Sequence, residues 1–306
     1  MRVAVIGAGH MGRYHAEKLA RMSGVQLAGV VDADAARASA LATKLGCPSF
    51  SQYGEILGKA EAAIVAVPTD RHHAVALECL QHGLHLLVEK PLAATLAEAD
   101  ALIAEAGRRG LVLQCGHVER YNKSFRALAS RMDRPVFIEA ERLAGFKSRG
   151  AEVDVVLDLM IHDLDLAVAL ARAPLERISA CGFRVLTRDI DIANARLEFA
   201  NGCVANLSAS RVSQTPVRKL RVFQKDLYVS ADMQGGKLRF VRRKAGAVEE
   251  SEEKFEGDAL AAQAAAFVAA TRAQGERPQG REGRRALELA LEVGRLVRER
   301  LKRVSA

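Results

Sequence analysis

Val3–Leu19 reads VAVIGAGHMGRYHAEKL. A run of β-branched and small apolar residues ends at Ile6, and a helical pattern starts near His10. Between them stand Gly7, Gly9 and Gly12 in the spacing G-x-G-x-x-G. Alone the triplet carries little weight, but between a strand and a helix it has a mechanism. Gly7 permits the tight turn, Gly9 lets the backbone approach a pyrophosphate, and Gly12 lets helix and strand pack closely, with the phosphate at the helix N-terminus. His10 and Met11 complete the loop and count with the glycines as candidate cofactor contacts. The next strand ends at Asp32, twenty residues past Gly12, where a carboxylate can accept hydrogen bonds from an adenosine ribose. Ala33 and Asp34 follow. A 2′-phosphate would meet two carboxylates, so NAD is expected over NADP, with Arg37 near enough in the chain to reach across.

Outward from this loop the same alternation continues. Strand-like runs at Val25–Asp32, Ala62–Thr69, Leu84–Pro91 and Leu111–His117 are separated by helical stretches at Ala33–Gly46, Asp70–Gly83 and Thr95–Gly110. The strands are nearly continuous in Val, Ile, Leu and Ala, as a parallel sheet covered on both faces requires. A doubly wound α/β domain over residues 1–120 follows. Past residue 120 the rhythm changes. A helix at Tyr121–Met132 and another at Asp154–Leu170 precede consecutive strands at Arg177–Leu186, Ile192–Ala200, Cys203–Ser213, Arg218–Gln224, Leu227–Ala231 and Lys237–Arg243. Turn signals at Asn201-Gly202 and Gly235-Gly236 join them, and two helices begin near Ala259 and Gly283. Residues 121–306 therefore read as a second α/β domain with a large, mostly antiparallel open sheet.

Composition narrows the function classes. With 306 residues the chain suffices for two domains. No apolar run reaches the ~18 residues of a membrane span, and the opening is too short and glycine-broken for a secretory signal. Five scattered cysteines, never in C-x-x-C pairs, fit free thiols in a cytoplasm and argue against zinc. The net charge of +8 is spread among mixed-sign helix faces rather than gathered in a basic patch. Nucleic acid and membrane partners are not expected.

Asp154–Leu170, DVVLDLMIHDLDLAVAL, is apolar almost all the way round, yet Asp154, Asp158, His162 and Asp165 recur at spacings of four, four and three. A buried unpaired carboxylate is costly, so such a stripe implies a cleft or partners. Asp158 and His162 are i,i+4 neighbours; a carboxylate can orient an imidazole that exchanges protons near neutral pH. Asp154 and Asp165 read equally well as caps or ion-pair partners. No second metal-spaced histidine appears nearby, so no metal is expected. Lys90, in Glu89-Lys90-Pro91, ends a strand at the carboxyl edge, where open α/β sheets bind ligands; a cis bond before Pro91 is compatible with that bend. Pro68, Thr69 and His73 end the preceding strand, beside the nicotinamide half of a dinucleotide, with His72 and His73 open to a surface reading. Arg120, Tyr121 and Asn122 are candidates for either substrate contact or packing where the domains join. Arg211 is a diphosphate contact or an ordinary sheet arginine. His15, His82 and His85 read as structural or surface residues, and Cys115 has no evident base partner.

The glycine loop, the Glu-Lys-Pro strand end and D-x-x-x-H on a helix of the second domain resemble, in this order, the Gfo/Idh/MocA family, over essentially the whole chain. The resemblance implies a Rossmann domain, a C-terminal domain whose open sheet makes a homodimer or tetramer interface, and NAD-dependent oxidation of a sugar or cyclitol hydroxyl. It maps the catalytic lysine onto Lys90, the orienting acid onto Asp158 and the general base onto His162, with Glu89 beside the cofactor. Within the family, VLQCGHVERYN, DIANARLEFANGCVANLSASRVS and VRKLRVFQKDLYVS are similar to the bacterial UDP-N-acetylglucosamine 3-dehydrogenases, which precede an aminotransferase in making a diamino sugar for lipid A. The segment AEVDVV at residues 151–156 departs from the glycine-rich stretch many relatives have there. Two alternatives stand beside this reading: an inositol, free-sugar or other carbonyl oxidoreductase on the same scaffold, and a non-catalytic NAD-sensing regulator.

Overall fold

A computed structural model describes residues 1–146, 153–273, 275 and 277–304. The chain divides into two compact units: Met1–Val118 with Asp258–Leu287, and Glu119–Gly257 with Glu288–Ala306.

The first unit holds β1 (Arg2–Ile6), α1 (His10–Leu19), β2 (Gln26–Val31), α2 (Ala35–Leu45), β3 (Ser49–Phe50), β4 (Ala62–Val65), α3 (Thr69–Gln81), β5 (His85–Val88), α4 (Leu96–Arg109) and β6 (Leu113–Cys115). Its six strands are all parallel, in the order β3-β2-β1-β4-β5-β6. β4 is buried along its whole length and β1 from its second residue onward, which is why their sequences are unbroken apolar runs rather than alternating ones. The order reverses beside β1, so the carboxyl ends of β1 and β4 flank the switch point at which such sheets bind ligands. The doubly wound class and its right order of elements stand; β3, two residues long, had no readable pattern.

The expected second domain over 121–306 needs a correction. α7 (Ala259–Arg272) belongs to the first unit, and the division falls within α8 (Arg281–Val304), after Leu287. The reason is burial: Ala264, Phe267 and Val268 of α7 join Val3, Val5, Leu19 and Ile64 in one apolar core, with Phe267 fully enclosed.

The second unit holds α5 (Lys123–Arg131), β7 (Phe137–Leu143), α6 (Ile161–Ala171), β8 (Leu175–Phe183), β9 (Ile192–Phe199), β10 (Val204–Ser210), β11 (Val217–Gln224), β12 (Leu227–Asp232), β13 (Lys237–Lys244) and β14 (Ala247–Lys254). The sheet order is β14-β13-β12-β11-β7-β10-β9-β8, antiparallel except for the β7–β10 pair. Gly202 and Gly236, at the two glycine-marked turns, take φ of +82° and +71°, which only glycine adopts freely. β7 and β14 were not expected from sequence, and α6 is preceded by a π-helical turn at Val156–Met160. No helix among the described residues is long and apolar enough to cross a membrane.

Candidate active site

In the first unit the glycine loop has the geometry its spacing implies. A Cβ on Gly7 would lie 2.5 Å from the Ala66 carbonyl oxygen, and one on Gly12 only 1.6 Å from that of Gly7. Gly9 meets nothing within 4 Å. It is the N-cap of α1 and brings no side chain to cap that helix, the kind of helix start that suits a phosphate. His10 is the exposed first residue of α1, stacked edge-on against Tyr14, and Met11 is half-buried. Asp32 accepts from Ala8 N at 2.7 Å and Asp34 N at 2.9 Å. Arg37 lies 3.4 Å from Asp32 and 3.2 Å from Asp34. An uncapped helix start beside open space, with a backbone-anchored carboxylate at the next strand end, fits a dinucleotide.

At the neighbouring strand ends, Pro68 is the N-cap of α3, Thr69 its first residue, and His73 half-buried with Nε2 shielded from solvent. The Lys90–Pro91 bond is cis. Glu89 is buried; one carboxylate oxygen meets His15 Nε2 at 2.7 Å and the other accepts from Lys90 N at 3.2 Å. Burial alone would raise the Glu89 pKa, but the His15 hydrogen bond and nearby positive charge hold it below the ordinary value. Gly116 lies against Glu89, where a Cβ would fall 2.8 Å from the carboxylate. His72 is buried, with Nδ1 2.8 Å from the Pro91 carbonyl oxygen and Nε2 3.0 Å from that of Val67. Lys90 itself is half-buried.

The second unit accounts for the acidic stripe residue by residue. Asp154 caps the helix start, accepting from Val156 N and Leu157 N at 3.1 and 2.9 Å, and pairs with Arg298 at 3.0 Å. Asp165 holds Arg120 through two bonds of 2.6 and 2.7 Å. Asp163, which the stripe did not include, is buried and takes two 2.9 Å bonds from Arg142 of β7. Arg142 also donates to Glu119 at 2.9 Å. Burial works against the Arg142 charge, yet these two carboxylates outweigh it and hold its pKa above the ordinary value. Asp158 and His162 are the half-buried members. Asp158 lies in the π-helical turn and His162 in α6, and single π turns recur at functional sites because they re-aim side chains.

Three of the candidate substrate contacts have structural partners. Arg120 is clamped by Asp165. Asn122 caps α5 through Ser124 N at 3.0 Å and donates to the Met233 carbonyl at 3.0 Å. Arg211 is buried, bonded to the Val153 carbonyl and 4.0 Å from Asp191, surroundings that suit the sheet-arginine reading. Tyr121 is half-buried. Of the AEVDVV segment, residues 151 and 152 lie outside the described residues.

Sequence reasoning missed the roles of His15, His72, Glu119, Arg142 and Asp163. Two of them left a signal. The buried face of α1 is Gly12, His15, Ala16 and Leu19, and that of α3 is His72, Val75, Ala76, Cys79 and Leu80. Each histidine thus sits in an apolar stripe of helical period, where a polar group needs a partner.

Comparison with known proteins agrees with this geometry. Residues 1–117 match the family model described as the oxidoreductase family with an NAD-binding Rossmann fold, and residues 126–226 match the GFO/IDH/MocA C-terminal domain. The chain is 42% identical to UDP-N-acetylglucosamine 3-dehydrogenase from Acidithiobacillus ferrooxidans over 96% of each protein. It superposes on a solved structure of an enzyme of that name and organism with a TM-score of 0.92, covering 97% of each chain. It is 29% identical to scyllo-inositol 2-dehydrogenase (NAD(+)) from Bacillus subtilis over 70% of its length and 68% of that enzyme's.

Proposed function

The chain belongs to the Gfo/Idh/MocA oxidoreductase family, and from that premise we propose that it oxidises the 3-hydroxyl of UDP-N-acetylglucosamine with NAD as hydride acceptor. The observation that carries this reading is the 42% identity to a 3-dehydrogenase of that nucleotide sugar across 96% of both chains. The more distant inositol dehydrogenase shares less than three quarters of its length.

His162 takes the hydroxyl proton, Asp158 orients the imidazole, and Lys90 hydrogen-bonds the same oxygen and favours its developing negative charge. The nicotinamide cofactor, when bound, accepts the hydride; the protein positions it. Support for these roles is that Asp158 and His162 are both half-buried on one helical segment, four residues apart. For NAD over NADP, the support is Asp32. Its carboxylate is held by the Ala8 N–H where a ribose diol would be read, and Arg37 is drawn to Asp32 and Asp34 rather than left for a 2′-phosphate. The 3-keto product suits an aminotransferase as the next step. The reading includes a cytoplasmic setting for the five free cysteines. It also includes a homo-oligomer formed through the outer face of the large sheet, where Phe137, Phe223 and Tyr228 cluster among charged neighbours.

The deciding assay follows NADH formation with UDP-N-acetylglucosamine against myo-inositol and glucose, coupled to an aminotransferase and glutamate to draw off the keto product. Preference for inositol would move the substrate to the second class. Lys90→Met and His162→Ala are each expected to fold, bind NAD and lose about 10²–10⁴-fold in turnover. Near-normal turnover in either removes its assigned role.

A further inference from the structure

We propose that His72 is a positioning residue that sets where Lys90 presents its ammonium; this rests on the catalytic reading of Lys90 above. Lys90 is flanked by two buried anchors. On its N-terminal side Glu89, held by His15, accepts the Lys90 backbone N–H at 3.2 Å. On its C-terminal side the carbonyl of Pro91 lies 2.8 Å from His72 Nδ1. The backbone around the lysine is therefore gripped from both directions. The His72 ring, 1% exposed, also lies 3.0 Å from the carbonyl of Val67. The ring thus lies between two chain segments: the turn after β5, which carries Lys90, and the end of β4, which leads into Pro68 and Thr69.

Packing alone does not explain a histidine here. Position 72 lies in the buried stripe of α3 with Val75, Ala76, Cys79 and Leu80, where leucine would fill the space. Leucine would also leave the Pro91 carbonyl without the donor this position supplies, a cost that the imidazole avoids. Both facing groups are acceptors, and a neutral imidazole has one N–H. Burial pushes the His72 pKa down, which keeps the ring neutral. Its single proton is assigned to Nδ1, the nitrogen with the shorter contact, so the donated bond runs to Pro91 and the lysine turn. Displacing a reacting group by about 1 Å costs on the order of a hundredfold in rate, which makes the bond consequential for a lysine required on the substrate oxygen.

The test compares His72→Ala, His72→Asn and His72→Gln, each alone and with Lys90→Met, on the sugar that the wild-type enzyme turns over. The Asn amide lies near the Nδ1 position and the Gln amide near Nε2. Expected for His72→Ala is a kcat loss of about 10–100-fold, with the NAD dissociation constant, read by NADH fluorescence, within about twofold. His72→Asn is expected to recover most of kcat and His72→Gln little of it, a pattern a general packing defect would not give. In the Lys90→Met background His72→Ala is expected to cost nothing further, because the group it positions is gone. Wild-type kcat in His72→Ala, or an equal loss with and without Lys90, overturns the proposal while leaving Lys90 as assigned. If His72→Ala does not fold, the Asn and Gln variants decide, and equal turnover in them overturns it. Full turnover in Lys90→Met withdraws the catalytic reading itself, whatever His72 does.

Discussion

The two units hold their candidate site residues by different means. In the first, the backbone does most of the work: an uncapped helix start, three glycines, and carboxylates and imidazoles that grip main-chain groups at strand ends. In the second, side chains grip one another. Arg142 of β7 reaches Asp163, Arg120 reaches Asp165, and Arg298 reaches Asp154, across 21, 45 and 144 residues of sequence. Backbone devices are local and announce themselves as short motifs. Buried ion pairs join distant positions and leave no local pattern.

The contrast can be broken first at Arg142. Arg142→Met strands the carboxylates of Asp163 and Glu119 in the interior, and breaking such a pair costs about 3–5 kcal/mol. The expected result is early melting of the second unit in calorimetry while NADH fluorescence still reports binding by the first. A loss below about 1 kcal/mol would mean that the pairs are interchangeable with apolar packing, and that the two regions are less different than described.

Gly12 and Gly9 sharpen the comparison within the backbone-built region. Gly12→Ala drives a Cβ into the Gly7 carbonyl, backbone against backbone, and is expected to cost about 3 kcal/mol, the upper end of overpacking penalties. Gly9→Ala meets open space, so its unfolding free energy should stay within about 0.5 kcal/mol of wild type while NAD affinity falls. Unchanged affinity would detach Gly9 from the cofactor.

The smaller effect lies at Asp191, where the second unit borrows the first unit's method. This fully buried carboxylate accepts from Val185 N and Leu186 N at 2.7 Å, Thr187 N at 2.8 Å and Thr187 Oγ1 at 2.7 Å. Burial alone would raise its pKa, but these donors bring it to about 2. A folded-state value below the unfolded ~3.9 stabilises the native state above pH ~4, and that stabilisation disappears as pH falls through about 2. Asp191→Ala is therefore expected to lose about 2.6 kcal/mol at pH 7, since each pKa unit is worth about 1.4 kcal/mol. The gap to wild type should close between about pH 4 and pH 2. A pH-independent gap would assign the loss to packing.

What the sequence disclosed follows the same division. The strand–helix alternation, the glycine loop and the turns at Gly202 and Gly236 were legible because each rests on neighbours in the chain. β7 was not, although it lies in the middle of the large sheet between β11 and β10. Its inward positions are Ile138, Ala140 and Arg142, and its outward ones include Glu139 and Glu141, so an arginine sits where alternation calls for an apolar residue. β14, AVEESEEK, is an exposed edge strand with almost no buried residue and hence no apolar face to read. The stripe on the α6 segment pointed to the right helix, but the π turn shifts its phase, and Asp163 proved as engaged as its neighbours. At the candidate site Lys90, Asp158 and His162, whose roles are proposed, were picked out by pattern. The imidazoles that brace the lysine turn were not, because they sit in apolar stripes that read simply as helix core.

α7 has a consequence for how this protein is made. Phe267 and its neighbours complete a core begun by Val3 and Val5. A nascent chain ending at Val118 has every strand of the parallel sheet yet lacks that helix. At roughly 5–20 residues per second, the ribosome takes about ten seconds or more to supply it. During that interval the parallel sheet carries an uncovered apolar patch, and it becomes a finished cofactor module only once α7 has been made.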